Sequence, residues 1–299
     1  MADAPTQSGS GFAPFAAIET PFESIPSAGT SEYAELLAHY LSAAFAFVRE
    51  TPNWKKTKAF HTEGGGNVQC KLLPSPVQQL AKKGWHLRES QHGPESGLGY
   101  QDFRRYLRFK HSTYEKMFIE DIVVTECVTK VKEDEAEIWH NAYKLPIVTA
   151  DRDFVQMLLT IDLPPHAEPF SESHEAATLE WIRDPSRTLT PPSPPTEHPT
   201  YPSFVVLQFP VSHPDAPPQS PKVRAVYASF EAVCEGPPPA GAQVNVVNWK
   251  MAVQSDTRGR IPTIMQEMAM PGEIAHDVHA FIAWAKQYKV ENPPADDQQ

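Results

Sequence analysis

The fold of this chain is decided by the stretch from Val244 to Tyr288, which reads VNVVNWKMAVQSDTRGRIPTIMQEMAMPGEIAHDVHAFIAWAKQY. Its first part alternates large apolar side chains with polar or small ones, which is the period of a half-buried strand. The apolar members are Val247, Trp249, Met251 and Val253. The polar run 256–260 then predicts a turn, and Pro262 stands where a helix begins, because the first helical N–H has no partner inside the helix. The stretch therefore predicts one strand, one turn and one long helix.

The predicted helix carries a wide apolar stripe at helical spacing. Its members are Ile264, Met265, Met268, Ile274, Ala275, Val278, Phe281, Ile282 and Ala285. Pro271 lies inside this pattern and predicts a kink or a break near Met270. Methionine is flexible and polarisable, so the methionines of the stripe fit either plain core or the wall of a ligand cavity.

Such a stripe needs a partner surface, and the strands upstream can provide one. Strands that are largely segregated from helices along the chain indicate an α+β fold with an antiparallel sheet. A curved antiparallel sheet wrapped around a long C-terminal helix encloses an internal cavity when the helix packs across its mouth. We therefore predict the helix-grip fold.

Composition limits the possible functions. The chain has 299 residues, 40% of them hydrophobic, and a formal net charge of −11. The negative charge argues against nucleic acid as a partner and against steady attraction to anionic lipid headgroups, but leaves transient membrane contact open. The scattered cysteines, 3 in number, fit a reducing compartment, and we see no signal peptide and no apolar run long enough to span a bilayer. We expect a cytoplasmic monomer.

The chain divides into three parts by composition. Residues 1–28 are small, polar and rich in proline, which predicts a disordered leader, although the phenylalanines within it could attach to the folded domain. Residues 29–290 carry the helix and strand patterns of a single ligand-binding domain, and residues 291–299 form an acidic tail. A proline-rich insertion at 164–202, with a short helix near Ala176–Ile182, is expected to lie outside the core as a loop.

Helix and strand patterns fill the predicted domain. Predicted helices are Ser31–Glu50, Pro76–Lys83 and Tyr100–Phe118. Predicted strands lie at 58–73 (two, around the glycine triplet 64–66), 84–92, 122–131, 137–143, 154–161, 204–211 and 223–234. The arginines at 104, 105 and 108 make Tyr100–Phe118 the clearest basic patch. That patch fits a solvated face, a surface for anionic headgroups, or an arginine turned inward toward a ligand.

Two segments resemble a known family. The run from Leu145 to Phe154 resembles the P-x-x-x-x-x-R-D-F stretch of START domains, the steroidogenic-acute-regulatory-related lipid-transfer family. The run from Trp249 through Ile261-Pro262 resembles the strand, turn and closing helix with which that family ends. Trp85-x-x-Arg88-x-Ser90-x-His92 looks similar to a fungal branch of the superfamily. The resemblance covers residues 30–288, and the long insertion departs from the family pattern.

The resemblance implies a helix-grip domain that holds one hydrophobic small molecule or lipid, with the loop 147–152 near the cavity mouth. Together with the stripe of the final helix, it nominates a set of ligand-binding residues. They are Trp85, Arg88, Trp139, Tyr143, Ile147, Arg152, Trp249, Met251, Met265, Met268, Val278, Phe281 and Ile282. The family match concerns fold and pocket position, not chemistry.

An enzyme is the alternative to a carrier. Helix-grip proteins include cyclases and isomerases acting on polyketide- or terpenoid-like intermediates, and candidate acids or bases here are His86, Arg88, His140 and Tyr143. The triplet 151–153 fits a structural ion pair that pins its loop, with the arginine neutralised by its flanking carboxylates. His276 and His279 lack a third ligand, so we predict no metal, and no motif indicates a cofactor.

Overall fold

The computed structural model describes residues 12–62, 66–74, 83–145, 149–193 and 199–293. Its strands are β1 (Thr20–Pro21), β2 (Lys55–Thr62), β3 (Gly66–Leu73), β4 (Trp85–His92), β5 (Ile122–Lys132), β6 (Ala136–Tyr143), β7 (Arg152–His166), β8 (Tyr201–Ser212), β9 (Val223–Arg224), β10 (Val226–Gly236) and β11 (Val246–Asp256). Its α-helices are α1 (Ser31–Glu50), α2 (Tyr100–Phe103), α3 (His111–Phe118), α4 (Glu172–Arg183) and α5 (Thr263–Glu291).

The strands form one large curved sheet in the order β2-β3-β4-β11-β10-β8-β7-β6-β5, with antiparallel neighbours throughout. Two short strands pair in parallel outside this path, β1 with β8 and β9 with β7. The early hairpins and the later strands meet where β4 pairs with β11, from His92–Val247 to His86–Val253. This pairing places the strand that leads into α5 near the middle of the sheet. The predicted α+β helix-grip fold is confirmed.

Helices α1 and α4 cover one face of the sheet, which we call the α1 face. The Thr30 hydroxyl caps α1 by accepting a hydrogen bond from the backbone N–H of Tyr33 at 3.2 Å. The Tyr40 ring stacks on Phe209 of β8 with centroids 4.2 Å apart. Aromatic packing of this kind, extended by the buried Trp181 of α4, fills the α1 face.

Helix α5 covers the opposite face, which we call the α5 face. Its inward residues Ile274, Val278 and Phe281 are buried, and the Phe281 ring lies 5.2 Å from both Trp249 of β11 and Phe103 of α2. Because both faces are covered, the central strand β7 is buried at almost every position. A strand buried on both sides has continuous rather than alternating burial.

The N-terminal segment packs on the domain, where composition predicted a disordered leader. Phe15 is buried against the rings of Tyr40 and Trp85, and β1 pairs with β8. The backbone N–H of Ala17 donates to Gln254 Oε1 at 3.0 Å. Burial of these apolar side chains offsets the entropy cost of ordering residues 12–28. Residues 1–11 lie outside the described chain.

The insertion at 164–202 contributes to the core instead of lying outside it. The predicted short helix is present and longer, because α4 spans Glu172–Arg183 and begins at a Ser171 cap. Its Trp181 and Ile182 are buried, and Glu175 binds Ser42 and Arg49 of α1. The proline-rich composition belongs to the part of the insertion that follows α4, so it did not predict the structure of the whole insertion.

Other local predictions fared differently. The β2–β3 hairpin around the glycine triplet and the strand β4 are as predicted. The predicted helix Tyr100–Phe118 is interrupted before α3, where Lys110 adopts a φ of 49°. Helix α5 runs through Pro271 without the predicted break. The predicted helix at 76–82 lies outside the described residues, as do Ile147 and the acidic tail beyond residue 293.

Candidate ligand-binding site

A cavity of about 790 Å³ lies between α5 and the sheet. Its walls come from α3, the turn after it, and strands β6, β7, β8, β10 and β11. Its apolar lining residues include Phe118, Phe154, Met251, Val253, Met270, Ile274, Ala280 and Trp284. The volume is within the range of roughly 300–1,000 Å³ found for small-molecule sites. The lining exposes more apolar than polar surface, although about half of its residues are polar or charged.

Six of the described lining residues carry a carboxyl group, and three of them, from three different elements, interact electrostatically with one another. They are Glu115 of α3, Glu231 of β10 and Asp277 of α5. Gln208 of β8 and the phenols Tyr143 and Tyr227 join them in the lining. Strand alternation explains the positions on β10, since Tyr227, Ser229 and Glu231 share the face turned toward α5.

A chain of hydrogen bonds fixes the polar groups of β8, β10 and α3. The Tyr227 hydroxyl donates to Gln208 Oε1. His111 Nδ1 lies 2.7 Å from the carbonyl oxygen of Leu107, and a carbonyl only accepts, so we assign the ring proton to Nδ1. Nε2 of the neutral ring then accepts from Gln208 Nε2 at 3.2 Å.

The three carboxyls lie close enough to influence one another. His111 Nε2 is 3.9 Å from both Glu115 Oε2 and Glu231 Oε1. Burial, reinforced by the charges of Glu231 and Asp277, raises the pKa of Glu115 to about 7, although His111 opposes this. Burial also raises the pKa of Asp277 to about 6, with Glu231 adding to the effect and Arg88 opposing it. Two carboxyls of the cavity therefore titrate near neutral pH.

Arg88 is the counter-ion of these carboxyls and lies behind the cavity lining. Its side chain is buried, lies 3.7 Å over the Trp249 ring and places Nη2 3.9 Å from Glu231 Oε2. The same carboxylate oxygen accepts a 2.6 Å hydrogen bond from Trp249 Nε1. Burial lowers the pKa of Arg88, while Glu231 and Asp277 act to raise it. Arg88 and Trp249 thus hold Glu231 in place toward the cavity.

Arg152 pins the turn before α5 to the start of β7, at the cavity rim. The sequence predicted that its flanking carboxylates neutralise it, but its guanidinium donates to the backbone carbonyls of Ala150, Thr257 and Arg258, the last two at 2.7 and 3.2 Å. Asp153 instead binds Arg224 at 2.8 Å. The pinned loop was predicted correctly, whereas its bonding partners were not.

A glycine is required where this pinned turn meets Arg152. Gly259 has a φ of +71°, which favours glycine, and a Cβ there would lie 3.1 Å from Arg152 Nη2. The turn can therefore close tightly over the guanidinium, as the sequence pattern indicated.

Three of the predicted ligand-binding residues line the cavity: Tyr143, Arg152 and Met251. Four others, Trp249, Val278, Phe281 and Ile282, belong to the buried core of the α5 face and support the cavity from behind. Arg88 does not line the cavity but helps to position Glu231, which does. Trp139 packs against the same core, its indole N–H bonded to Glu137 at 2.9 Å.

Met265 and Met268 do not line the cavity, contrary to the prediction, because they are 64% and 70% exposed. The inward position on this turn of α5 belongs to Gln266, which accepts from Lys83 Nζ at 2.8 Å and donates to the carbonyl of Ser255 at 2.9 Å. Adjacent helix positions differ by about 100°, so the bonds of Gln266 turn both methionines outward.

Trp85 lies on the opposite side of the sheet from the cavity, contrary to the prediction. Its ring packs against Phe15, Phe47 and Phe230 on the α1 face. Residues 85 and 87 share that face, whereas Arg88 points to the other, as strand alternation predicts. The family resemblance placed Trp85 in the right strand but on the wrong face for a ligand.

Two of the catalytic candidates form structural bonds. His86 Nε2 lies 2.9 Å from Glu267 Oε2 and ties β4 to α5. His140 Nε2 lies 3.1 Å from Asp153 Oδ2, which also binds Arg224, and ties β6 to β7 and β9. Among the described side chains around the cavity, Tyr143 is the one catalytic candidate in the lining.

The predicted basic patch is largely neutralised. Arg104 binds Asp162 through two bonds of 2.7 and 2.8 Å, and Arg108 binds the same carboxylate at 3.0 Å. Arg108 also donates to the carbonyl of Asp134 at 2.7 Å. These two arginines therefore turn inward, but toward a partner on β7 rather than toward a ligand.

Sequence reasoning missed most of the polar cavity residues, namely Glu115, Gln208, Tyr227, Glu231 and Asp277. A usable signal was present on β10, where Glu231 is a charged residue in the middle of a largely apolar strand. Glu115 and Asp277 look like ordinary solvated positions on their helices. Their approach to Glu231 depends on how α3 and α5 cross the sheet.

Membrane spans and metal sites were searched within the described ranges. No helix there combines the length and apolar character needed to cross a bilayer. No group of three or more His, Cys, Asp and Glu side chains in the same ranges is placed to hold a metal ion.

Solved structures share this architecture. Human STARD10 is 12% identical, with 84% of this chain and 82% of that chain covered and a TM-score of 0.54. Human StAR-related lipid transfer protein 5 is 14% identical, with 86% and 97% covered and a TM-score of 0.54. At such identities the likeness shows the fold, which is the START-type helix-grip fold that the sequence resemblance predicted.

A sequence family also matches. Residues 85–285 match the family described as "Protein of unknown function (DUF3074)". The match covers more than half of the chain, which therefore belongs to this family. Among curated proteins there is no match to this sequence.

Proposed function

We propose that the protein binds one hydrophobic small molecule or lipid in the cavity beneath α5 and transfers or sequesters it. The observation that carries this proposal is the cavity itself, about 790 Å³ in volume, whose exposed lining surface is mainly apolar. Water in contact with the apolar walls is unfavourable in free energy, whereas the transfer of an apolar ligand from water into the cavity is favourable.

The shared fold supports this proposal. The name of human StAR-related lipid transfer protein 5 describes lipid transfer, and its alignment with this chain covers 97% of that protein's chain. In this chain a cavity lies between the sheet and the closing helix. Fold alone does not assign a ligand, so the proposal depends on the lining residues described above.

Exposed apolar side chains near the cavity suit transient contact with a membrane. Met117 lines the cavity and is itself 50% exposed, and Ile264, Met265 and Met268 are exposed on the first turns of α5. The three exposed side chains of α5 lie on adjacent turns of one helix and form a local apolar patch, which is typical of interaction surfaces. With a net charge of −11, we expect this contact to favour neutral over anionic bilayers.

A cavity-filling substitution tests the binding. In Ala280→Trp the new side chain occupies space in the cavity, so uptake should be lost while the fold is kept. Ala269→Trp is the matched control, because Ala269 is exposed on the same helix. The measurement is native mass spectrometry of purified protein after exposure to lipid extracts, with circular dichroism to verify folding.

The expected result is one apolar molecule per chain in the wild type and in Ala269→Trp, and none in Ala280→Trp. Transfer of that molecule between vesicles on addition of protein would support a carrier. Equal uptake by both variants, or no retained molecule from any extract, would contradict the proposal.

An enzymatic use of the same cavity is the alternative, as a cofactor-independent cyclase or isomerase acting on a polyketide- or terpenoid-like intermediate. The observation in its favour is that Glu115, whose pKa is raised to about 7, faces the cavity together with the phenol of Tyr143. A group with such a pKa can act as a general acid or base at neutral pH. Turnover that Glu115→Gln or Tyr143→Phe abolishes would favour this alternative, whereas a ligand recovered unchanged favours the carrier.

A further inference from the structure

The polar region of the cavity is acidic and only partly compensated. Glu115, Glu231 and Asp277 converge on it from α3, β10 and α5. Glu231 is nine-tenths buried, and its Oε1 has no hydrogen-bond donor among the described residues, with His111 Nε2 at 3.9 Å. Oε2 of Glu115 is likewise buried without a hydrogen-bond partner in the described chain. These oxygens are acceptors that lack a donor.

The cations nearby do not supply that donor. Arg88 lies behind the cavity lining, with its Nη2 3.9 Å from Glu231 Oε2, and it balances one of the three negative charges. His111 donates its ring proton to the carbonyl of Leu107, and its other nitrogen accepts from Gln208. Arg152, at the rim, donates to backbone carbonyls.

The remaining titratable groups of the lining do not reverse this balance, because Glu120 and Asp121 are acidic and His279 is a histidine one turn from His276. Tyr143 and Tyr227 face Glu115 from β6 and β10 and add no positive charge. Asp277 is flanked on its own helix by Glu273 and His276, which act on it in opposite directions. With all three carboxyls ionised, the polar end of the cavity keeps an excess of negative charge.

From this arrangement we infer that the ligand is an amine with an apolar body, whose protonated nitrogen is received by Glu115, Glu231 and Asp277. This inference rests on the proposed function and names the chemical class of its ligand. An ammonium group supplies both the missing donors and the missing positive charge. A carboxylate or phosphate placed there would add a like charge to a region that is already short of cations.

The pH dependence of binding follows from the same groups. An ammonium ion beside Glu115 and Asp277 favours their ionised forms, so binding expels the protons that these carboxyls hold at lower pH. The affinity for an amine should therefore rise with pH through the range from about 6 to about 7 in which they titrate. The affinity for an uncharged ligand of the same shape should change little.

The test uses three fluorescent probes with one apolar body: pyrenemethylamine, pyrenemethanol and pyrenecarboxylic acid. Binding to the full chain is measured by fluorescence anisotropy at about pH 8 and about pH 5, where the carboxyls differ in protonation while the amine stays charged. At the higher pH the amine should bind about tenfold more tightly than the alcohol, since a charge-assisted hydrogen bond exceeds a neutral one by about that factor. The acid should bind most weakly, and the advantage of the amine should shrink at the lower pH.

Two variants and a control test whether the preference for the amine over the alcohol comes from the carboxyls. Asp277→Asn and Glu115→Gln keep the side-chain shape and remove the charge, so each should lower amine affinity by about tenfold while leaving alcohol affinity within about threefold. Glu126→Gln is the control, since Glu126 is an exposed carboxylate of β5 that is not among the lining residues of the cavity. It should leave the preference for the amine intact.

The outcomes separate this inference from the function on which it rests. If the alcohol binds but the amine gains nothing over it, or if the acid binds best, the ligand is not an amine, while the cavity still binds apolar molecules. If the preference survives in both Asp277→Asn and Glu115→Gln, these carboxyls do not receive the nitrogen. If no probe binds and Ala280→Trp changes nothing, the proposed function fails as well. Displacement of the amine by potassium or calcium ions alone would overturn the inference in favour of an inorganic cation.

Discussion

The two faces of one sheet are packed in different ways. On the α1 face, two helices and the N-terminal segment cover the strands, and stacked rings such as Tyr40 on Phe209 leave the space filled. On the α5 face, a single long helix crosses the strands, and small or polar residues such as Ala280 and Asp277 face the gap that becomes the cavity. The same strands thus serve stability on one side and binding on the other.

This difference shows where function can be placed in such a fold. A filled face tolerates little change, because each lost contact leaves a void. A face that already encloses space can accept polar groups, provided that a ligand or a neighbouring side chain satisfies them. The carboxyls of the α5 face fit that second role, because a buried oxygen of Glu115 has no hydrogen-bond partner in the described chain, whereas a structural carboxylate such as Asp162 is paired with two arginines.

The largest predicted effect compares matched aromatic truncations on the two faces. Phe209→Ala, on the α1 face, should lower the free energy of unfolding by about 4 kcal/mol, because it opens a void in a filled core. Phe154→Ala, which only enlarges the existing cavity, should cost roughly half as much. Urea unfolding of both variants measures the difference, and equal losses would show that the two faces are packed alike.

A smaller effect depends on pH and concerns Asp277. Its folded-state pKa of about 6 lies above its ordinary value of 3.8, so in this range the folded state holds more protons than the unfolded state. Stability contributed by this group therefore falls as pH rises from about 4 to about 6, and the carboxylate costs the ligand-free protein about 2–3 kcal/mol above that range.

Asp277→Asn removes that cost. The variant should be more stable than the wild type by about 2 kcal/mol above pH ~7 and no more stable below pH ~4, where the carboxyl is protonated in both states. Thermal unfolding across this pH range, without ligand, makes the measurement. A constant difference at all pH values would mean that the substitution acts through packing rather than through charge.

The smallest expected change in stability is at the exposed methionines. Met268→Ser should alter the free energy of unfolding by no more than about 0.5 kcal/mol, since the side chain is 70% exposed. It should nevertheless slow exchange of an apolar molecule between neutral vesicles and protein, if this surface contacts the bilayer. A stability loss as large as that of Phe209→Ala would place Met268 in the core instead.

Much of the architecture could be predicted from the sequence, because strand and helix periods are local. The alternation around Trp249, the pattern of Ser31–Glu50 and the apolar stripe of α5 all appear as elements in the structure. Burial on a repeating face leaves its period in the residue order, whatever the rest of the chain does. The resemblance in the two motifs then led to the helix-grip arrangement of these elements.

The site itself was decided by tertiary structure. Met265 and Gln266 are neighbours in sequence. An apolar stripe is compatible with α5 rotated so that the methionines face the sheet, and also with α5 rotated so that Gln266 faces it. The bonds of Gln266 to β11 and to Lys83 select the rotation that exposes the methionines. Glu115, Glu231 and Asp277 are far apart in the chain, so no local pattern could reveal that they meet. Their convergence, and the shift in pKa that follows from it, exist only where three elements enclose one space, because electrostatic interactions depend on distance in the fold rather than on separation along the chain.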